Sequence, residues 1–124
     1  MIDFKNGLFF KLTPDKAPNA REATALLIGG EEVLSTFTAG RDYLVFTNKR
    51  IISVNVQGIT GKKKDFTSLP YDKISAFSVE TAGVLDMDAE LEMYFSGLGK
   101  VKFEIIGSAN IVEIGRAIGK YVLK

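Results

Sequence analysis

From Glu31 to Ile106 the apolar residues of this chain recur at every second position, in short runs broken by turn signals. A period of two is the spacing of side chains along one face of a β-strand; a helix would repeat at three and four. Val33, Ser35 and Phe37 alternate with Leu34, Thr36 and Thr38, and Ala39-Gly40-Arg41-Asp42 is a tight connection. Tyr43–Thr47 carries Leu44 and Phe46 on one face, and Asn48-Lys49 turns the chain. In Arg50–Gln57, Ile52, Val54 and Val56 share a face opposite Ser53, Asn55 and Gln57. Gly58-Ile59-Thr60-Gly61 is a hairpin loop, and Lys62–Leu69 is a more polar strand stopped by Pro70, which cannot donate to a ladder. Lys73–Thr81 carries Ile74, Phe77 and Val79. Ala89, Leu91, Met93 and Phe95 alternate with Glu90, Glu92 and Tyr94; after Gly97-Leu98-Gly99, Val101, Phe103 and Ile105 alternate with Lys100, Lys102 and Glu104.

Both ends change period. Near the start, Asn19 and Glu22 are spaced as a capping box, opening a short helix through Ala23, Ala25, Leu26 and Leu27 that Gly29-Gly30 ends. The residues before it, punctuated by Pro14 and Pro18, read as an extended or hairpin-like arm. At the far end, Asn110 and Glu113 repeat the capping spacing, and Ile111, Ile114, Ile118 and Tyr121 draw one apolar stripe. Lys120 and Lys124 lie where a helix dipole favours cations. Ile111, Ile114 and Ile118 are expected to be buried.

Seven meandering strands with one apolar face must cover it, and a terminal helix can plug a curled sheet. The expected fold is therefore mainly β: a partly open, seven-stranded antiparallel barrel closed by a C-terminal α-helix, with an N-terminal arm and short helix. The whole of 1–124 is expected to be one domain, with the arm and helix in 1–30, the barrel in 31–106 and the closing helix in 108–124. A chain this long needs no disulfide or metal to fold.

Composition removes several chemistries. The chain has no Cys and no His, so thiolate nucleophiles, disulfides, Cys/His zinc sites and imidazole bases are excluded. The net charge is +1, from 16 basic and 15 acidic residues, which gives no bulk attraction for nucleic acid and at most weak membrane contact. The apolar run Leu8-Phe9-Phe10 is too short for a signal peptide, Asp3 stands where such a peptide is basic, and no stretch is long enough to span a bilayer. The cytoplasm is the expected location.

The stretch Leu44–Gln57, LVFTNKRIISVNVQ, resembles the T-x-x-R strand pair of the bacterial pleckstrin-homology (PH) domain family, with Thr47 and Arg50 at the two fixed positions. Gly58–Phe95 resembles the same family's central block, through Gly61-Lys62-Lys63, Ser68-Leu69-Pro70-Tyr71, Ser78-Val79-Glu80-Thr81-Ala82-Gly83 and Asp86-Met87-Asp88-Ala89-Glu90-Leu91. The resemblance covers nearly the whole chain. It implies a PH-like fold of seven strands and a capping helix, a tendency to form homo-oligomers, and no catalytic residues.

Four residues stand out as a candidate binding surface: Lys62, Lys63, Lys64 and Arg50. The lysines form a cationic hairpin suited to phosphate, lipid headgroups or an acidic partner; equally, they form a solvated tip that protects a strand edge. Eukaryotic PH domains that bind phosphoinositides spread basic residues over the first two strands and their loop. Here Thr36–Tyr43 holds only Arg41, beside Asp42, so no tight, specific phosphoinositide affinity is expected. Gly58–Lys63 fails the phosphate-loop pattern in spacing, and a strand rather than a helix follows it. Arg50, just after its turn, either pairs with a carboxylate to fix the hairpin or binds a ligand. Asp86, Asp88 and Glu90 have alternate spacing, but Leu91 and Gly97 stand where an EF-hand requires glycine and glutamate, so they read as an acidic turn rather than a calcium loop.

No catalytic, cofactor or metal residues are expected. The sequence reads as a non-catalytic binding or assembly module whose partners are itself, as a homo-oligomer, and an unidentified protein or peptide. The arm, with Phe4, Leu8, Phe9, Phe10, Leu26 and Leu27, is expected either to join the assembly or to fold back on its own barrel. The alternative function is peripheral binding of anionic lipid or phosphate through the Lys62–Lys64 hairpin.

Overall fold

The computed structural model describes residues 1–4, 7–15, 20–83, 88–106 and 111–124, with backbone only for 7–11. They form two compact units, one of Met1–Ile2 with Pro14–Pro70, the other of Asp3–Thr13 with Tyr71–Lys124.

The first unit holds β2 (Val33–Ala39), β3 (Asp42–Thr47), β4 (Arg50–Gln57) and β5 (Lys63–Pro70), paired antiparallel in the order β5-β4-β3-β2. Register decides which side chains share a face. Val45 lies opposite Ile52, and Tyr43 opposite Val54, which in turn lies opposite Phe66. These five therefore share one face, and Ala20, Ala23, Leu27 and Val33 cover it. Leu44, Phe46, Ile51 and Leu69 lie on the opposite face and are also buried. There, Phe37 meets Phe46 edge-on at 5.5 Å. The sheet is thus buried on both faces, a feature that alternation within single strands does not reveal.

The helix expected near the start is a 3-10 helix, Arg21–Leu26. The expected capping residue Asn19 lies outside the described residues, and Ala20 occupies the N-cap with no side-chain bond. Three residues per turn place Ala20 and Ala23 on one side, small enough for the segment to lie close on the β-sheet.

The second unit holds β1 (Gly7–Pro14, save its last residue), β6 (Ile74–Glu80), β7 (Ala89–Phe95), β8 (Gly99–Ile105) and α1 (Ile111–Val122), with strand order β1-β8-β7-β6. All seven expected strands are present as β2 to β8. The arm adds an eighth strand, β1, parallel to β8. Its hold on the unit continues past the ladder, where the amide of Ile106 donates to the carbonyl of Leu12 at 2.9 Å. Ala89, Leu91, Met93, Phe95, Val101, Phe103 and Ile105 form the buried face. Glu90, Glu92, Lys100 and Lys102 alternate onto the outer face, where Lys102 pairs with Glu90 at 3.0 Å. Phe4 packs edge-on against Phe95 at 5.9 Å. Its carbonyl passes so close over Gly99 (φ +128°) that a β-carbon there would lie 2.6 Å from the oxygen.

Helix α1 packs on β6, β7 and the short 3-10 turn Tyr71–Lys73. Asn110, the expected cap, lies outside the described residues. Ile111 and Ile118 are buried, whereas Ile114 is only half-buried, which corrects the expectation for that residue. Tyr121 stacks on Tyr71 at 5.4 Å. Close approach is possible because Gly115 lies over Val79 and Gly119 over Phe77.

Candidate functional site

The four residues singled out from the sequence fall in the first unit, at two separate places. Arg50 opens β4, where its donors are engaged from three directions. Nε and Nη2 fork onto the two carboxylate oxygens of Glu31, each at 2.9 Å. Nη1 donates to Ser68 Oγ at 2.9 Å, and Nη2 also reaches the carbonyl of Leu26 at 2.6 Å. Glu31 has a fully buried side chain. Burial alone would raise its pKa, but the bonds from Arg50, Thr47 and the Ile28 amide outweigh that and hold it below the ordinary value.

Thr47 explains the T-x-x-R pattern. Its Oγ1 accepts from the amides of Lys49 and Arg50, each at 3.0 Å, which fixes the turn. Its one hydroxyl proton has two acceptors in reach, Glu31 Oε2 at 2.7 Å and the Arg50 carbonyl at 3.0 Å. Asn48, between them, accepts from the amide of Glu32 at 2.8 Å and donates to the carbonyl of Gly30 at 3.0 Å. The motif therefore stitches the Gly30–Glu32 segment to the β3–β4 turn. Arg50 takes the carboxylate-pairing geometry, with its guanidinium turned to protein groups.

The other place is the tip of the β4–β5 hairpin. Gln57 and Lys63 make its last ladder pair, so residues 58–62 project beyond the sheet. Lys62 and Lys63 are exposed and have no ion pair with a described residue, whereas Lys64 is half-buried. Lys64 Nζ donates to the carbonyl of Gly61 at 2.9 Å and lies 3.8 Å from Glu22. Arg41, in the β2–β3 turn, reaches the same tip: its Nη1 donates to the carbonyl of Gly58 at 2.6 Å. Asp42 is engaged elsewhere, accepting from the amide of Val56 at 2.8 Å and from Asn55 at 3.3 Å. The tip thus gathers Arg41, Lys62 and Lys63, with Lys64 partly neutralised. Sequence reasoning passed over Arg41 because of its acidic neighbour; the signal lay in Asp42 having a strand amide to cap.

Glu22 also accepts from the Tyr43 hydroxyl at 3.0 Å, and Arg21 lies over the Tyr43 ring at 4.9 Å. Burial, then the bond to Glu22, pushes the Tyr43 phenol up to about 12. These contacts fasten the 3-10 segment to β3.

Of the three spaced carboxylates, Asp86 lies outside the described residues, and Glu90 is paired with Lys102. Among the described residues no group of three His, Cys, Asp or Glu side chains is placed to hold a metal ion. No helix among them is long and apolar enough to cross a membrane.

These features define a mainly β domain with a C-terminal helix and a basic hairpin end. The sequence profile of the bacterial PH domain matches residues 3–122, and the chain belongs to that family. It is 54% identical over 76 residues to the uncharacterized protein YjqA of Bacillus subtilis (strain 168), a match spanning 61% of this chain and 61% of that protein. It is 37% identical over 76 residues to the uncharacterized protein YozO of the same strain, across 61% of this chain and 66% of that one. The fold is similar to that of a DUF1696 family protein with a pleckstrin-homology domain from Shewanella loihica PV-4 (TM-score 0.76, 35% identity, 90% of this chain and 97% of the other). It is also similar to a pleckstrin-homology domain from Shewanella amazonensis SB2B (TM-score 0.65, 38% identity, 89% and 94% covered). The PH-like fold implied by the sequence resemblance is the fold observed.

Proposed function

We propose that the chain is a non-catalytic, cytoplasmic assembly module that pairs with further copies of itself through the edge of β6. The observation that supports this is the contrast between the strands that end the two orders. In β5, Lys63 and Lys64 stand at one end and Pro70 at the other, which are devices that block strand addition. In β6, ISAFSVE, there is no lysine and no proline, and the only charge is the last residue. Ser75, Ala76 and Ser78 on β6 are exposed, and β7 is its strand partner in its unit. A strand without these charges or proline, regular from Ala76 to Glu80 after the register shift at its start, favours addition of another strand, and a second copy brings the same self-complementary edge. The arm is less suited to the contact, because Phe4, Leu12, Ala20 and Ala23 are already packed within the chain.

Light scattering of the full chain tests the reading. The expected result is an oligomer at micromolar concentration, reduced to monomer by Ala76→Lys with Ser78→Lys at unchanged melting temperature. A monomeric wild-type chain would refute it.

A second reading, capture of an anion by the hairpin tip, is favoured by the convergence of Arg41 with Lys62 and Lys63. Titration with inorganic pyrophosphate tests it: saturable binding that Lys62→Gln with Lys63→Gln abolishes supports the reading, and no heat above dilution contradicts it.

A further inference from the structure

The 3-10 segment Arg21–Leu26 closes over an apolar sheet face with little apolar side chain of its own. Beneath it lie Tyr43, Val45, Ile52 and Val54, all buried. The segment and the residue before it bury only two alanines there, Ala20 and Ala23; Leu27, which follows, is half-buried. Two features work against the closed position. Arg21 holds φ +45°, a left-handed conformation that costs an L residue free energy. Thr36, opposite Val45 and so on the same face, is 2% exposed, and its Oγ1 has no hydrogen-bond partner among the described residues. A buried hydroxyl of this kind forfeits the bond it makes in water and regains it when water enters.

What holds the segment down is polar and gathered at its two ends. At one end Glu22 accepts from the Tyr43 hydroxyl at 3.0 Å, and Arg21 lies over the Tyr43 ring and 3.5 Å from Asp15. At the other end Arg50 donates to the Leu26 carbonyl at 2.6 Å, and Glu31 accepts from the Ile28 amide at 3.1 Å. The second end is the firmer, because Arg50 and Glu31 are themselves joined as a buried ion pair. A segment with so small an apolar contact and a few polar clasps opens at a lower free energy than the sheet beneath it unfolds.

We infer that Ala20–Leu26 is a releasable strap. It lifts from the Tyr43 end, pivots on the Arg50 end, and bares the face of Val45, Ile52 and Val54 while β2 to β5 stay folded. The closed chain thus hides an apolar surface that a local opening presents. The inference depends neither on assembly through β6 nor on the charge of the hairpin tip.

The chain has no cysteine, so a single thiol can report on each face. Ile51 and Ile52 are adjacent in β4 and both 0% exposed, and only Ile52 lies on the face that the strap covers. Ile51→Cys and Ile52→Cys, each in the full chain, are compared by their rates of reaction with a small aromatic disulfide at urea concentrations below the unfolding transition. Urea midpoints of the same variants correct the rates for any difference in global stability. The expected result is that Ile52→Cys reacts about a hundredfold faster or more, at a rate nearly independent of urea, whereas the Ile51→Cys rate climbs steeply with urea. Within Ile52→Cys, Tyr43→Phe removes a clasp and should speed the reaction about fivefold; Thr36→Val removes the hydroxyl that gains from water and should slow it about fivefold. Equal corrected rates with the same steep urea dependence would overturn the inference, since both faces would then open only by global unfolding. An Ile52→Cys rate that neither Tyr43→Phe nor Thr36→Val changes would overturn it as well.

Discussion

Arg50 and Glu31 form an ion pair in which one partner is fully buried and the other nearly so, with side-chain exposures of 0% and 19%. Removing the guanidinium leaves a buried carboxylate uncompensated, so Arg50→Ala should lower stability by about 3–5 kcal/mol in denaturant unfolding. Arg50→Lys should recover little of that, because an ammonium cannot fork onto both carboxylate oxygens while also reaching Ser68 and the Leu26 carbonyl. Acid should act through the same pair. The Glu31 pKa is lowered in the folded protein, so its contribution is complete above the ordinary carboxylate value and is lost as pH falls through the lowered one. Melting temperatures of wild type and Glu31→Gln should therefore differ most near neutrality and converge as pH falls through the lowered Glu31 value; a gap constant with pH would show that Glu31 is not ionised in the fold. The sequence supplied half of this arrangement. Pairing with a carboxylate was one of the two expectations for Arg50, but Glu31 lies nineteen residues away, ahead of β2, and the Asn48 bonds to Gly30 and Glu32, with that of the Thr47 hydroxyl to Glu31, bring it to the turn.

At the level of elements, α1 is held to β6 by large residues facing small ones. Ile118 is 1% exposed, and Ile118→Ala should cost about 2–5 kcal/mol; Ile114→Ala, at a half-buried site, should cost clearly less. Gly115 is a sharper probe. A β-carbon there would lie 2.8 Å from Val79 Cγ2, so Gly115→Ala sets a gain in helix propensity of up to ~1 kcal/mol against an overpacking cost of ~1–3 kcal/mol. The substitution should lower the melting temperature, and adding Val79→Ala should restore part of it; simple additivity in that double-mutant cycle would mean that the two positions do not touch. The stripe that places α1 was legible, because Ile111, Ile118 and Tyr121 recur at helical spacing. The strands were legible for the same reason. The 3-10 helix was not, since three residues per turn against 3.6 is indistinguishable over six residues. Nor was the parallel pairing of β1 with β8, because pairing between distant segments leaves no local periodicity.

Across the whole molecule, the buried apolar positions follow the alternation in β7 and β8 closely, while β3 and β4 bury both faces. That difference is why Tyr43, Val45, Ile52 and Val54 need cover from Ala20, Ala23 and Leu27, and it assigns the early residues a packing role. The candidate site was legible in its lysines, which are consecutive, and not in Arg41, which reaches the tip only through the pairing of β3 with β4. What distinguishes β6 is the want of a protecting charge or proline, and this is the basis for self-assembly through its edge. The most direct test is amide hydrogen exchange of the full chain over a range of concentrations, read at Ser75–Val79. The account predicts that these amides are protected at high concentration and become exchangeable on dilution, in step with the loss of oligomer by light scattering. Exchange in β6 that stays the same while the oligomer dissociates would contradict it.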